Sequence, residues 1–271
     1  MPPLITPKAL ARTYNHPSKD PWTAVELYRE AATKPDDWGA QRVASAINSD
    51  QSNDFEGISR SEVRAWVDDD SKPDAARAVD VARELGWDAD GWTDTTEALA
   101  ELVIGVYAFG SIVTENYVPS WSPDDPDSQG AIEDALTWAG VGYQHVERDG
   151  DAQADEIRPG QQSTKLGRVL VVAGAPMGDK NADSVHGLPD WVADAPMVLK
   201  LNLAVILVRG RGTEYEGKGT RTIQTDRGPQ YFRDVARLIE DVTGETATAS
   251  EHGVTISAAA VRELGLLRPT H

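Results

Sequence analysis

Seven cations crowd residues 209–237: Arg209, Arg211, Lys218, Arg221, Arg227, Arg233 and Arg237, against four acids. The chain around them has 271 residues and a formal net charge of −18. A basic stretch in so acidic a protein suits a phosphate-facing surface, because guanidinium and ammonium groups displace counterions from a polyanion. Solvated strand ends are the alternative. A second group, Arg60, Ser61 and Arg64, lies in the first turn and a half of an expected helix. Arginine there can donate two hydrogen bonds to guanine, and serine can bond several bases. Other chemistries find little support. Cysteine is absent, which removes disulfides and thiolate metal sites. The five histidines, His16, His145, His186, His252 and His271, lack the spacing of a zinc site. Gly174-Ala-Pro-Met-Gly-Asp-Lys180-Asn is a residue short of a phosphate loop, and no serine has a Gly-x-Ser-x-Gly context. Neither a cofactor nor a metal is expected.

The charge is spread unevenly. Residues 201–271 carry nine basic and nine acidic side chains, whereas 96–200 carry six and 17. Acids dispersed through the chain with little lysine match the surface of a protein from a salt-loaded cytoplasm, as in halophilic archaea. An ordinary acidic protein that avoids polyanions has the same balance. The start of the chain lacks the pattern of a signal peptide. The apolar runs near 99–109 and 197–208 are too short to span a bilayer. A cytoplasmic, nucleoid-associated protein without a membrane segment is therefore expected.

Asp20-Pro21 starts a helix over 22–32, Gly39–Asn48 forms a second with Asn48 as its stop, and Ser49–Gly57 make a loop. Ser59 and Glu62 form a capping box for a third helix, with Ile58 as a staple. Its Val63, Trp66 and Val67 share a face that packs on the second helix, leaving Arg60, Ser61 and Arg64 opposite. That is where a recognition helix meets the major groove. The long loop and the three aspartates Asp68–Asp70 count against this reading, and a plain helical bundle is the alternative. A further helix runs over 73–86, and Trp87–Thr93 reads as a linker. The expected helix-turn-helix domain is 20–87.

From Asp94 the pattern is helix 94–109, strands 110–121, helix 127–139, strands 141–158 and helix 163–175. It recurs as helix 195–209, strands 211–226, helix 228–243, strands 245–256 and helix 257–266. The first strand is expected over Ser111–Tyr117, and Asp94 with Glu97 as the cap of the first helix. The fold class is α+β: a helical N-terminal domain, then two α-β-β-α-β-β-α repeats (about 94–175 and 195–267) with antiparallel sheets and a pseudo-twofold relation.

Over about 94–267 the chain resembles a monomeric LAGLIDADG homing endonuclease. Leu102-Val-Ile-Gly-Val-Tyr-Ala-Phe-Gly110-Ser-Ile lies where that family has its first signature helix, and Ala204-Val-Ile-Leu-Val-Arg-Gly-Arg-Gly212 at the second. Leu166–Lys180 with Leu188-Pro-Asp-Trp191 is similar to the family's connecting helix, Gly-x-Lys turn and Leu-Pro-x-Trp lead into the second signature helix. The resemblance implies a saddle of antiparallel strands along the DNA major groove, with Lys218, Arg221, Gln224, Arg209 and Arg211 as candidate contacts. It also implies two metal-binding acids before the final glycines, and there this chain has Phe109 and Arg211. The family's small helix-packing residue is replaced by Ile104 and Ile206. Bacterial developmental regulators that join a degenerate LAGLIDADG domain to a helix-turn-helix are similar in plan. The expected function is thus non-catalytic, sequence-specific binding of double-stranded DNA, most simply as a monomeric transcriptional regulator that also meets other regulatory proteins. A residual nuclease using Glu214 or Glu115, and a protein-interaction scaffold, remain as alternatives.

Overall fold

The computed structural model describes residues 3–16, 18–50, 57–68, 71–147, 155–215 and 217–266. Asp69, Asp70, most of the loop after Ser49, Asp149–Asp151 and His271 lie outside them. The protein is mixed α+β, with twelve helices and two four-stranded antiparallel sheets among the described residues. It divides into two compact units, Ile5–Glu84 and a larger one holding Leu85 onward. No described helix is long and apolar enough to cross a membrane.

The smaller unit contains α1 (Pro7–Ala11), α2 (Pro21–Ala32), α3 (Ala40–Ser49), α4 (Arg60–Val67) and α5 (Asp74–Glu84). The short α1 has no counterpart in the sequence expectation. Asp20 caps α2 by accepting from the Trp22 N–H. Leu27, Val43, Ala44, Ile47, Ile58 and Val63 form the core, with Trp38, Trp66 and Val67 packed against it. Asn48 does not stop α3. It donates to the Ile58 carbonyl at 2.9 Å and accepts from the Ile58 N–H at 2.8 Å, so one amide joins the two ends of the intervening loop.

The larger unit runs α6 (Asp94–Ala108), β1 (Gly110–Ile112), β2 (Pro119–Trp121), α7 (Pro126–Trp138), β3 (Tyr143–Val146), β4 (Glu156–Pro159) and α8 (Ser163–Val172). After the single turn α9 (Trp191–Asp194) come α10 (Met197–Arg211), β5 (Gly212–Tyr215), β6 (Lys218–Gln224), α11 (Pro229–Thr243), β7 (Ala247–Ala249), β8 (Gly253–Ile256) and α12 (Ala258–Glu263). The order helix-strand-strand-helix-strand-strand-helix therefore occurs twice. The sheets share one strand order, β1-β2-β4-β3 and β5-β6-β8-β7. Registers match as well: Gly110 faces Trp121 as Gly212 faces Ile223, and Trp121 faces Ile157 as Ile223 faces Val254.

Several local expectations are corrected. The strand after α6 stops at Ile112, because the chain turns through Thr114–Tyr117 and Tyr117 adopts φ 59°. Thr93 and Thr96, rather than Asp94 and Glu97, form the capping box of α6, since the helix begins one residue earlier than the acidic pair requires. The segment after Gly86 is no free linker: Trp87 is fully buried and donates its indole N–H to the Ala139 carbonyl at 2.8 Å.

Glycines mark where backbone meets backbone. A Cβ on Gly110 would stand 2.6 Å from Trp121 Cδ1 and 2.9 Å from the Ser120 carbonyl oxygen, which is why an apolar helix must end in glycine there. A Cβ on Gly167 of α8 would overlap the Tyr117 carbonyl oxygen. Gly167→Ala should cost about 3 kcal/mol, the upper part of the usual overpacking range, because a backbone carbonyl cannot swing aside as a side chain can. Chemical denaturation checks this; a cost near zero would mean that the β1–β2 turn yields freely.

Candidate nucleic-acid interface

Three regions hold the candidate residues. The first is the outward side of α4. Its capping box is complete: Ser59 accepts from the Glu62 N–H, and Glu62 accepts from the Ser59 N–H at 2.9 Å. Burial pushes the Glu62 carboxyl up, but the Lys19 ammonium at 2.7 Å and the Ser59 bonds outweigh it and hold the carboxyl at about 2. The helix start is thus ionically locked while Val63 is buried. Arg60, Ser61 and Arg64 are all exposed. Ser61 shares a hydrogen bond with the Ser59 hydroxyl at 2.9 Å. Arg64 pairs one turn on with Asp68 at 3.3 Å, an exposed contact of small energetic weight.

The second region is the outer face of the β5–β8 sheet. Alternation along β6 sends Ile223 to the core, so Arg221 shares the inner face while Lys218, Thr220, Thr222 and Gln224 share the outer one. Arg221 meets Glu214 and donates to the Leu266 carbonyl at 3.0 Å, with its side chain 11% exposed. It is thereby committed inside. Lys218 and Gln224 are exposed. Thr213 faces Thr222, Thr222 faces Thr255, and Thr248 faces Thr255. One row of four threonines therefore crosses all four strands. Each offers a hydroxyl that donates and accepts and a methyl that can meet a thymine methyl. In the other sheet the equivalent pairs are Ser111 with Ser120 and Gln144 with Arg158. Ser120 is buried, and Arg158 bonds Glu156 at 2.6 Å. That face is the less available of the two.

The third region is the end of the paired helices α6 and α10. A Cβ on Gly210 would lie 2.5 Å from Phe109 Cδ1 and 2.8 Å from Ala108 Cβ. Close helix contact is thus supplied by Gly210, although Ile104 and Ile206 are both buried in large-residue packing. Phe109 caps α6, and Arg211 is the last residue of α10 rather than the first of a strand. Arg209 turns aside to Asp127 at 2.6 Å and Asp125 at 3.4 Å. Two cations that sequence reasoning left without a role close the site. Lys180 donates to the Val106 carbonyl at 2.9 Å and also meets the Gly110 carbonyl. Arg227, 4% exposed, donates to the Tyr107 carbonyl at 2.7 Å, and its guanidinium lies 4.6 Å from the Tyr231 ring centroid. Both cap the carbonyl end of α6, where positive charge offsets the helix dipole. The signal for Lys180 was its place in the Gly-x-Lys turn, and for Arg227 its place in the basic window.

Burial, then the positive charges of Arg211 and Arg227, depress Lys180 to about 7. In the unfolded chain it keeps its proton to about pH 10. Between those values the unfolded state holds one more proton, so stability rises with pH. Relative to Lys180→Met, the protein should gain roughly 3 kcal/mol from pH 7 to pH 10, an order-of-magnitude figure from that proton difference. Denaturant titrations at each pH measure it; parallel profiles would show that Lys180 keeps its ordinary proton affinity.

The opposite half of the helix pair is acidic. Asp94, Glu97, Glu101, Asp134 and Glu263 line a groove of about 620 Å³ that also carries Trp138 and Leu201. Burial raises Glu101, which accepts from Asn202 at 2.8 Å. No protein-family model matches this sequence, and no curated protein matches it.

Proposed function

We propose that the protein is a sequence-specific reader of double-stranded DNA, most simply a transcriptional regulator, joining a helix-turn-helix to a LAGLIDADG-like saddle without its metal-binding acids. The observation that supports the reading is the doubled unit itself. Each central helix passes through a glycine into a sheet of the same strand order and register. One of those sheets presents the threonine row, exposed except for the half-buried Thr222, with Lys218 and Gln224. Such a face carries a cation and is rich in hydrogen-bonding groups within a chain of charge −18, as expected where base edges are read. In α4, packing fixes Val63 inward and leaves Arg60, Ser61 and Arg64 to address a groove.

A direct test compares pooled duplex, single-stranded DNA and duplex RNA of equal length by fluorescence anisotropy in KCl. Duplex DNA should bind best, and Thr222→Glu with Thr255→Glu should weaken it at least about tenfold by facing phosphates with like charge. Equal binding by the variant would remove the sheet face from the reading. A second reading, a protein-interaction scaffold, is favoured by the acidic groove, in which Trp138 is 61% exposed. The residual-nuclease reading has weaker support, because Glu214 is engaged by Arg221 and Glu115 sits exposed in the β1–β2 turn.

A further inference from the structure

We infer that the end of the α6–α10 pair is a direct phosphate site, built from Lys180, Arg211 and Arg227, where the LAGLIDADG resemblance implies divalent metals. A divalent cation there needs oxygen ligands. The side chains present are a phenyl ring, one ammonium and two guanidiniums. The carbonyls of Val106, Tyr107 and Gly110 already accept from Lys180 and Arg227. Glu214 is held by Arg221, and Asp125 and Asp127 are held by Arg209. The donor set does not fit a metal.

It does fit an anion. Arg227 is nine-tenths and more buried, yet its Nε and Nη1 have no hydrogen-bond partner among the described residues. Arg211 Nε is likewise buried and unpartnered. No carboxylate within 4.0 Å of Lys180, Arg211 or Arg227 is found among the described residues. Like charges held together at a helix end are costly without a counter-charge. A phosphate oxyanion would accept from both guanidiniums, the geometry that arginine suits best. The half-buried Lys180, Arg211 and Phe109 leave the site open to solvent, with Arg227 beneath. The inference rests on the DNA reading for its ligand, a backbone phosphate of the duplex at the middle of the saddle.

The test follows the arginine Nε–H signals of the full-length protein by NMR while inorganic phosphate is added at constant KCl. Arg227 and Lys180 both cap α6, so the deciding substitution is placed at Arg211, and Lys180→Gln is read only where its unfolding midpoint matches wild type. The signals of Arg211 and Arg227 should shift together and saturate. Arg211→Gln and Lys180→Gln should each weaken the midpoint about tenfold, the loss of one charge-assisted bond. Signals that do not move, or that drift linearly and equally in wild type and variants, overturn the site. Adding duplex separates the two claims. Displacement of phosphate by duplex supports both, whereas saturable phosphate binding untouched by duplex keeps the site and removes the DNA reading, leaving a soluble phosphorylated ligand.

Discussion

Gly210→Val is expected to destabilise the larger unit by about 3 kcal/mol, or roughly 6–12 °C in Tm for a unit of this size. A Cβ at this position meets Phe109 Cδ1 at 2.5 Å and Ala108 Cβ at 2.8 Å. The Phe109 ring is half-buried and can turn. Ala108 Cβ rides on the backbone of α6 and cannot, so α10 itself must shift. The simple helix-propensity effect has the opposite sign, since replacing a helical glycine generally favours the helix. A loss therefore reports packing. Phe109→Ala in the same chain should recover only part of it, because the contact with Ala108 persists. Thermal and denaturant unfolding of both variants provide the measurement. A neutral Gly210→Val would show that the ends of α6 and α10 do not touch closely, and the end site built on that contact would fall with it.

Arg64→Ala is expected to lower specific DNA binding by about 10- to 100-fold, the worth of one bidentate arginine–guanine contact. Stability should change little. The side chain is 65% exposed, and its pairing with Asp68 one turn on is the kind worth a few tenths of a kcal/mol. The neighbouring Val63→Ala should behave oppositely, unfolding the smaller unit because Val63 is fully buried in its core. Competition between specific and random duplex separates the effects. If Arg64→Ala binds both with unchanged ratio, α4 is not a recognition helix.

Elements with local signatures could be read from the chain before any coordinates. The capping box of α4 is written in Ser59 and Glu62 alone, and Gly140, Gly174 and Gly244 follow their helices with positive φ. The doubled order of helices and strands follows from repeated apolar runs ending in glycine. What escaped the sequence is set by contacts distant along the chain. Lys180 reaches a carbonyl 74 residues away and Arg227 one 120 residues away, which no local pattern encodes. Arg211 reads as the start of a strand because Gly210 looks like a stop. The helix instead continues, since Gly210 is needed for contact with Phe109 rather than for a turn. Arg221 shows how a parity of one position decides a role. It alternates with the buried Ile223 and is drawn inward, while Gln224 beside it faces out.

The central claim is specific recognition of duplex DNA, and selection from a random duplex library tests it most directly. The purified full-length chain is incubated with the library in high KCl with Mg²⁺ present, and retained duplexes are sequenced. The account predicts an enriched motif recovered as intact duplex, and weaker enrichment of that motif by Arg64→Ala. Recovery of the motif in cleaved form would contradict the loss of nuclease chemistry at Phe109 and Arg211. A folded protein that enriches no sequence at all would contradict the DNA reading itself and leave the acidic groove beside Trp138 as the feature to pursue.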